Sequence, residues 1–280
     1  MKKILTCIDG SGYSVVSCEF AAWLAGRDKA AVDILYVTDI RQYEMPIVAD
    51  ISGSLGAQPY LNLVSQLQQV EKLKVDALEQ SSRKVFDQAG FKGEVSFLHK
   101  EGTLVDRVDE IQDKYDLIMV GKRGMHSEVA KQHLGSSLER VVRACSKPVL
   151  VTSRAFRPMK NVLFAYDGGE SSRRALDFLA TDPMFENMNI TVVTVEEKGR
   201  PPAAQTLDEA IGKLLSGGRA CEKKILTGEV EMSISTLAET SDTDLLVIGA
   251  FGHTRFREFF IGSTTTELLR TKNMPLLCFR

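Results

Sequence analysis

Apolar residues in this chain gather in short runs separated by amphipathic stretches. Runs apolar at nearly successive positions lie at 3–8, 32–38, 94–99, 116–120 and 148–152, and again at 160–166, 189–196, 222–227, 244–248 and 275–279. Their length and their content of Val, Ile and Leu predict strands covered on both faces, as in a parallel sheet. Between them, apolar positions recur with helical spacing near 12–26, 61–89, 103–114, 136–145, 170–180, 206–216, 229–240 and 263–272. Strand and helix alternating through right-handed crossovers predict a doubly wound α/β sandwich, in which ligands bind beyond the carboxyl ends of the strands where the strand order reverses.

The pattern occurs twice. Lys3-Ile-Leu-Thr-Cys-Ile-Asp9-Gly10-Ser11 is echoed by Lys160-Asn-Val-Leu-Phe-Ala-Tyr-Asp167-Gly168-Gly169, and Asp116-Leu-Ile-Met-Val-Gly121-Lys-Arg-Gly124 by Asp244-Leu-Leu-Val-Ile-Gly249-Ala-Phe-Gly252. Lys147-Pro148-Val-Leu-Val reappears as Met274-Pro275-Leu-Leu-Cys. Asp9 and Asp167 are 158 positions apart, Gly121 and Gly249 128, and Pro148 and Pro275 127, so about 30 extra residues sit between the second and third strands of the first copy. One unit per domain-sized block means duplication rather than a solenoid. The expected domains are 1–153, with an extended second-helix region, and 160–280, joined by the brief segment 153–160 and packed through strands 148–152 and 275–279.

Composition excludes several classes. With 44% hydrophobic, 26% charged and 7% aromatic residues, the 280-residue chain can bury ordinary cores and lacks the polar bias of disorder. Lys plus Arg (35) nearly cancels Asp plus Glu (37), so no global cationic field favours nucleic acid or anionic lipid. No apolar stretch approaches the roughly 18 residues of a membrane span, and Asp9 interrupts the first run too early for a signal peptide. Five scattered cysteines without a Cys-x-x-Cys pair argue against a disulfide scaffold and imply a reducing cytoplasm. Cys7 and Cys278, inside strand-like runs, read as small buried hydrophobes.

Candidate chemistry centres on glycines. Gly249-x-x-Gly252, nine residues, then Gly262-Ser263-Thr264 places bare backbone at a strand exit and opens a helix whose unpaired N–H groups form an anion site. Thr264 with Glu267, and Ser136 with Glu139, also have capping-box spacing, so plain helix capping is an alternative reading of these hydroxyls. Gly-x-x-x-x-Gly-Lys-Ser/Thr is absent, and Val15 stands where a dinucleotide fingerprint beginning at Gly10 requires its third glycine.

Asp-Gly-Ser near the start, Val-Gly-x-x-Gly after the fourth strand, Gly-Ser before the last helix and Lys-Pro-Val before the last strand occur in one order, nearly complete in both copies. In this combination the chain resembles a tandem universal stress protein, two fused UspA-type domains, over almost its whole length. The resemblance implies two tandem doubly wound α/β domains, Rossmann-like with a five-stranded parallel sheet each, in a pseudo-twofold arrangement. It also implies ATP held by the glycine loop in the nucleotide-binding branch of the family. Carried over, Asp167 and the backbone near Val195 would contact the adenosine, with Ala165 among the binding positions. Ile248 and Gly249 would lie beneath the ribose, and Gly252, Gly262, Ser263 and Thr264 around the phosphates, with His253, Arg255 and Arg257 as possible aids. Mg²⁺ bound mainly by phosphate oxygens would neutralise the charge. In the first copy Asp9, Val37, Val120, Gly121, Gly124, Gly135, Ser136 and Ser137 are in place, but ten residues rather than nine separate Gly124 from Gly135. The resemblance further implies a stress-response regulator that binds nucleotide and a protein partner, with slow hydrolysis at most, and two such chains could associate as a homodimer.

Two rival functions remain at this level. One is a protein-interaction scaffold with empty crevices. The other is an adenylating enzyme that cleaves ATP at its α-phosphate, since Asp167-Gly-Gly-Glu-Ser-Ser172 approximates a Ser-Gly-Gly-x-Asp-Ser loop. No triad order or carboxylate pair supplies a general base, and no sulfur or carboxylate completes zinc-ligand spacing around His126 and His133. In the insertion, Tyr60, Leu63, Val64, Leu67, Val70 and Leu73 form a stripe of helical period. The expectation is core packing of a lengthened second helix, and the alternative is a lid or an apolar partner surface.

Overall fold

The computed structural model describes residues 1–39, 57–122, 136–196, 202–249 and 274–280. The first half runs β1 (Lys3–Ile8), α1 (Gly12–Asp28), β2 (Ala31–Thr38), α2 (Ala57–Gln88), β3 (Val95–Glu101), α3 (Leu104–Ile111), β4 (Leu117–Gly121), α4 (Ser136–Ala144) and β5 (Val149–Thr152). The second runs β6 (Asn161–Ala165), α5 (Glu170–Thr181), β7 (Asn189–Val195), α6 (Ala203–Ser216), β8 (Cys221–Leu226), α7 (Val230–Thr240), β9 (Leu245–Gly249) and β10 (Leu276–Phe279). Each strand read from the sequence is present, shifted by a residue or two at its ends. The helix expected at 263–272 lies outside the described residues.

The strands form one ten-stranded sheet in the order β3-β2-β1-β4-β5-β10-β9-β6-β7-β8. Each half is parallel throughout, and β5 meets β10 antiparallel with Leu150 opposite Leu277. The two halves are therefore related by a pseudo-twofold across the β5/β10 seam, and their strands' carboxyl ends point to opposite edges of the sheet. Buried central runs such as β1 and β9 are apolar on both faces. The outermost strand β8 instead carries Glu222, Lys223 and Lys224 in the open, charges that discourage further pairing along an edge.

One helical layer, α1, α2, α5 and α6, covers a continuous core that crosses the seam and contains Phe20, Phe86, Phe164 and Leu207. The other layer, α3, α4 and α7, covers Val108, Val141 and Ile234 on the opposite face. The connecting segment is packed, not slack: Phe156 meets the Phe20 ring edge-on at 4.9 Å between centroids, and Met159 is buried. The repeat extends to side-chain detail. The amides of Lys2 and Lys3 donate to Asp116 Oδ2 (2.6 and 3.0 Å), and those of Lys160 and Asn161 donate to Asp244 Oδ2 (2.9 Å each).

Of the stripe expected to pack in the core along α2, Val70 and Leu73 do not: they are 62% and 69% exposed, whereas Leu67 is half-buried and Val75, Leu78, Ser82, Val85 and Phe86 face the sheet and α1. The buried line is rotated because Glu71, one position from Val70, accepts hydrogen bonds from Tyr36 and Thr38 of β2 and so turns toward the sheet. The side chains of Tyr60, Leu63 and Val64 lie outside the described residues. Among the described residues no helix is long and apolar enough to cross a membrane.

Candidate functional site

In each half the strand order reverses beside the first strand, which has the second on one side and the fourth on the other. Crossovers leave the ends of β1 and β4, and of β6 and β9, in opposite directions, which opens a crevice at that point. Asp9 and Gly121 stand at one such edge, Asp167 and Gly249 at the other.

Both aspartates are built into the turn that starts the following helix. Asp167 Oδ1 accepts from the Gly169 amide (2.9 Å) and from Ser172 Oγ (2.6 Å), with Gly168 at a φ of +73°. Asp9 Oδ1 accepts from the Ser11 amide (2.9 Å) and Ser14 Oγ (3.0 Å), with Gly10 at +87°. A side chain would be strained at that left-handed glycine, so the Asp-Gly pair is a geometric requirement of the turn. Ser14 Oγ also accepts from the amides of Asp9 and Gly10, each at 3.0 Å. Ser14 and Ser172 fall five residues after their aspartates, so aligning the two copies would have exposed them as site residues.

Gly249 closes the second crevice at its base. A Cβ there would lie 2.6 Å from both Ser171 Oγ and the Ser172 backbone nitrogen, so bare backbone of β9 touches the first turn of α5. Ala165 is opposite Ile248 in the β6/β9 register and opposite Val193 in β6/β7, which brings Val195 alongside Asp167. The side chains of Ala165, Val195 and Ile248 are buried beneath α7 and offer the crevice backbone and position. In the first half Cys7 lies opposite Val120, and Val37 follows the Ile8–Tyr36 pair, so Asp9, Val37, Val120 and Gly121 converge in the same way. Ser136 and Ser137 begin α4. Gly124, Gly135, Gly252, His253, Gly262, Ser263 and Thr264 lie outside the described residues.

Two flanking features escaped the sequence reading. Tyr36 OH donates to Glu71 Oε1 (2.9 Å) and Tyr166 OH to Glu209 Oε1 (3.1 Å), so each half ties a phenol beside its crevice to the helix that follows its second strand. The two tyrosines sit on different strands, β2 in one half and the end of β6 in the other, which hid the correspondence. Burial, assisted by the Glu209 charge, pushes the Tyr166 phenol up to about 12. Lys122, next to Gly121, is only 6% exposed, and its amide donates to the Thr152 carbonyl at 3.2 Å. Its position in the sequence motif gave no hint of burial.

The arrangement sets a helix start and an aspartate turn at each strand exit, with the amides of Ser11 and Gly169 bonded within their own turns and Gly249 packed against α5. Among the described residues no three His, Cys, Asp or Glu side chains gather as a metal site. Residues 1–153 and 158–280 each match the universal stress protein family. A universal stress protein of Synechocystis sp. is 37% identical over the full length of both chains, and one of Mycolicibacterium smegmatis is 23% identical over 99% of this chain and 96% of its own. The crystal structure of a universal stress protein from Archaeoglobus fulgidus has the same fold, with a TM-score of 0.70 over 99% of this chain and 96% of that one at 20% identity. The duplicated turn, the reversed strand order and the paired matches lead to one conclusion: the chain belongs to the universal stress protein family, as a tandem of two such domains.

Proposed function

We propose that this protein is an adenine-nucleotide-binding regulator of the stress-response type, acting by occupancy rather than turnover. The observation that carries this reading is the contact of Gly249 with the amino end of α5 beside the Asp167 turn. That contact sets the start of α5 directly against the end of β9, at the edge where a doubly wound sheet takes ligands. In this reading Asp167 and the backbone around Ala165 and Val195 receive the adenosine, and Ile248 and Gly249 underlie the ribose. Gly252, His253, Gly262, Ser263 and Thr264 would surround the phosphates. Mg²⁺ bound to phosphate oxygens would supply the balancing charge, and this chain's residues would hold the phosphates without orienting a water for attack.

The first crevice would use Asp9, Val37, Val120, Gly121, Gly124, Gly135, Ser136 and Ser137. Lys122 takes the position of Ala250 in the second half. The working protein would be cytoplasmic, with domains spanning 1–153 and 160–280, and would pass its nucleotide state to a protein partner or a second copy of the chain.

Calorimetry with Mg²⁺-ATP, on the full chain and on Gly262→Val, tests the reading together with mass spectrometry of molecules that co-purify. Saturable binding that weakens in the variant supports it. No heat with any adenine nucleotide, and none co-purifying, overturns it.

A further inference from the structure

The first half closes the amino-terminal end of its sheet with three side chains that the second half lacks. Lys3 Nζ lies 2.8 Å from Asp33 Oδ2, and Tyr115 OH donates to the same oxygen at 2.7 Å. The Lys3 ammonium is also 5.4 Å from the centroid of the Tyr115 ring, so the three groups form one compact plug. The registers Lys3–Ala31 and Asn161–Asn189, together with Leu117 and Leu245 at the starts of β4 and β9, carry these three positions onto Asn161, Thr191 and Thr243. Where the plug is missing, a cleft of about 500 Å³ opens beside α7, with Leu163 and Leu237 in its lining. It lies at the amino ends of β6, β7 and β8, the opposite end of these strands from Asp167 and Gly249.

Hydrogen-bond accounting defines what this cleft can bind. Ser241 Oγ donates to the Leu237 carbonyl (2.6 Å), so its 2.7 Å contact with Thr243 must be donated by Thr243. Thr191 Oγ1 donates to Glu222 Oε1 (2.9 Å). Asn161 donates to the Asp242 carbonyl and accepts from Asn189, both at 2.9 Å. With both threonine protons committed, Thr191 and Thr243 present lone pairs, and the Glu222 carboxylate adds another acceptor. Lys224, 3.4 Å from Glu222, is a donor at the rim, the second amide protons of Asn161 and Asn189 are further donors, and Asp242 is a second carboxylate in the lining. A cationic ligand would meet Lys224, and an anion would meet Glu222, Asp242 and the lone pairs. A molecule with several hydroxyls satisfies both, since each hydroxyl donates and accepts.

We infer that the amino-terminal cleft of the second half binds a small neutral polyol of monosaccharide size, held by Thr191, Thr243, Glu222 and Lys224 against Leu163 and Leu237. The site is independent of the nucleotide crevice. The test is methyl NMR of the full chain, following Leu163 and Leu237, with glucose and sorbitol as probes and putrescine and inorganic phosphate as charged comparators. The triple variant Asn161→Lys, Thr191→Asp, Thr243→Tyr installs the plug that the first half already accommodates. Thr243→Val removes one acceptor with little change in shape and serves should the triple variant not fold. Saturable shifts with a polyol in the wild type, lost in the plugged variant and weakened by about tenfold in Thr243→Val, are expected. No saturable shift with either polyol, equal binding by the variants, or preference for putrescine or phosphate would overturn the inference.

Discussion

Gly249 and Ser172 meet backbone to backbone: a Cβ on Gly249 would stand 2.6 Å from the Ser172 nitrogen. Neither the end of β9 nor the first turn of α5 can retreat without giving up strand pairing or the Asp167 turn. Gly249→Ala is therefore expected to destabilise the second half by about 1–3 kcal/mol, the range for overpacking a tight contact. Urea denaturation followed by circular dichroism measures this, and an unchanged midpoint would mean that the contact is slack.

The hydroxyls of Ser14 and Ser172 hold the two aspartate turns. Each is buried and bonded within its turn, so Ser14→Ala and Ser172→Ala are each expected to cost about 1–2 kcal/mol. The turns lie at opposite edges of the sheet, so the double variant should show the two losses adding. Strong coupling between them, read from a double-mutant cycle, would contradict the separation of the crevices.

The rotation of α2 separates two kinds of apolar residue on the same helix. Leu73→Glu, at an exposed position, should change stability by less than about 0.5 kcal/mol. Phe86→Ala, at a buried one packed edge-to-face with Phe91, should cost about 3–5 kcal/mol. Similar losses at both sites would restore the core stripe expected from the sequence.

Alkaline pH should unfold the protein by a route that its buried neutral groups define. Burial raises the thiols of Cys7, Cys18, Cys145 and Cys278, with Cys18 and Cys145 reaching about 12. An unfolded thiol ionises near about 8.5, so these groups contribute stability that is fully present below that pH and lost as pH rises toward 12. Tyr166, also raised to about 12, acts in the same sense from about pH 10 upward. The expected result is a urea midpoint that falls above about pH 9, less steeply in Cys145→Ala. In the native state Cys221, which is only partly buried, should react with a thiol reagent well before the other four cysteines.

Strand and helix identities, the duplication and the family were legible from the chain because they depend on local facts: runs of apolar residues, helical spacing and motifs in fixed order. Asp9 and Asp167 could be read as turn residues for the same reason, since an Asp-Gly pair at a strand exit states its own geometry. Their partners Ser14 and Ser172 recur at the same spacing in both copies, a signal the repeat carried, but only the fold shows hydroxyl and carboxylate bonded. The Tyr36–Glu71 and Tyr166–Glu209 bonds join segments 35 and 43 residues apart, and their tyrosines occupy different strands, so neither spacing nor the repeat signalled them. Likewise the helical period of α2 permitted several rotations, and the choice among them fell to Glu71 reaching β2. The cleft beside α7 follows the same rule. Asn161, Thr191 and Thr243 are unremarkable one by one, and only the superposition of one folded half on the other shows that they stand where Lys3, Asp33 and Tyr115 seal the sheet. Apolar periodicity is a property of neighbours along the chain, whereas a cavity is defined by side chains that only long-range packing assembles.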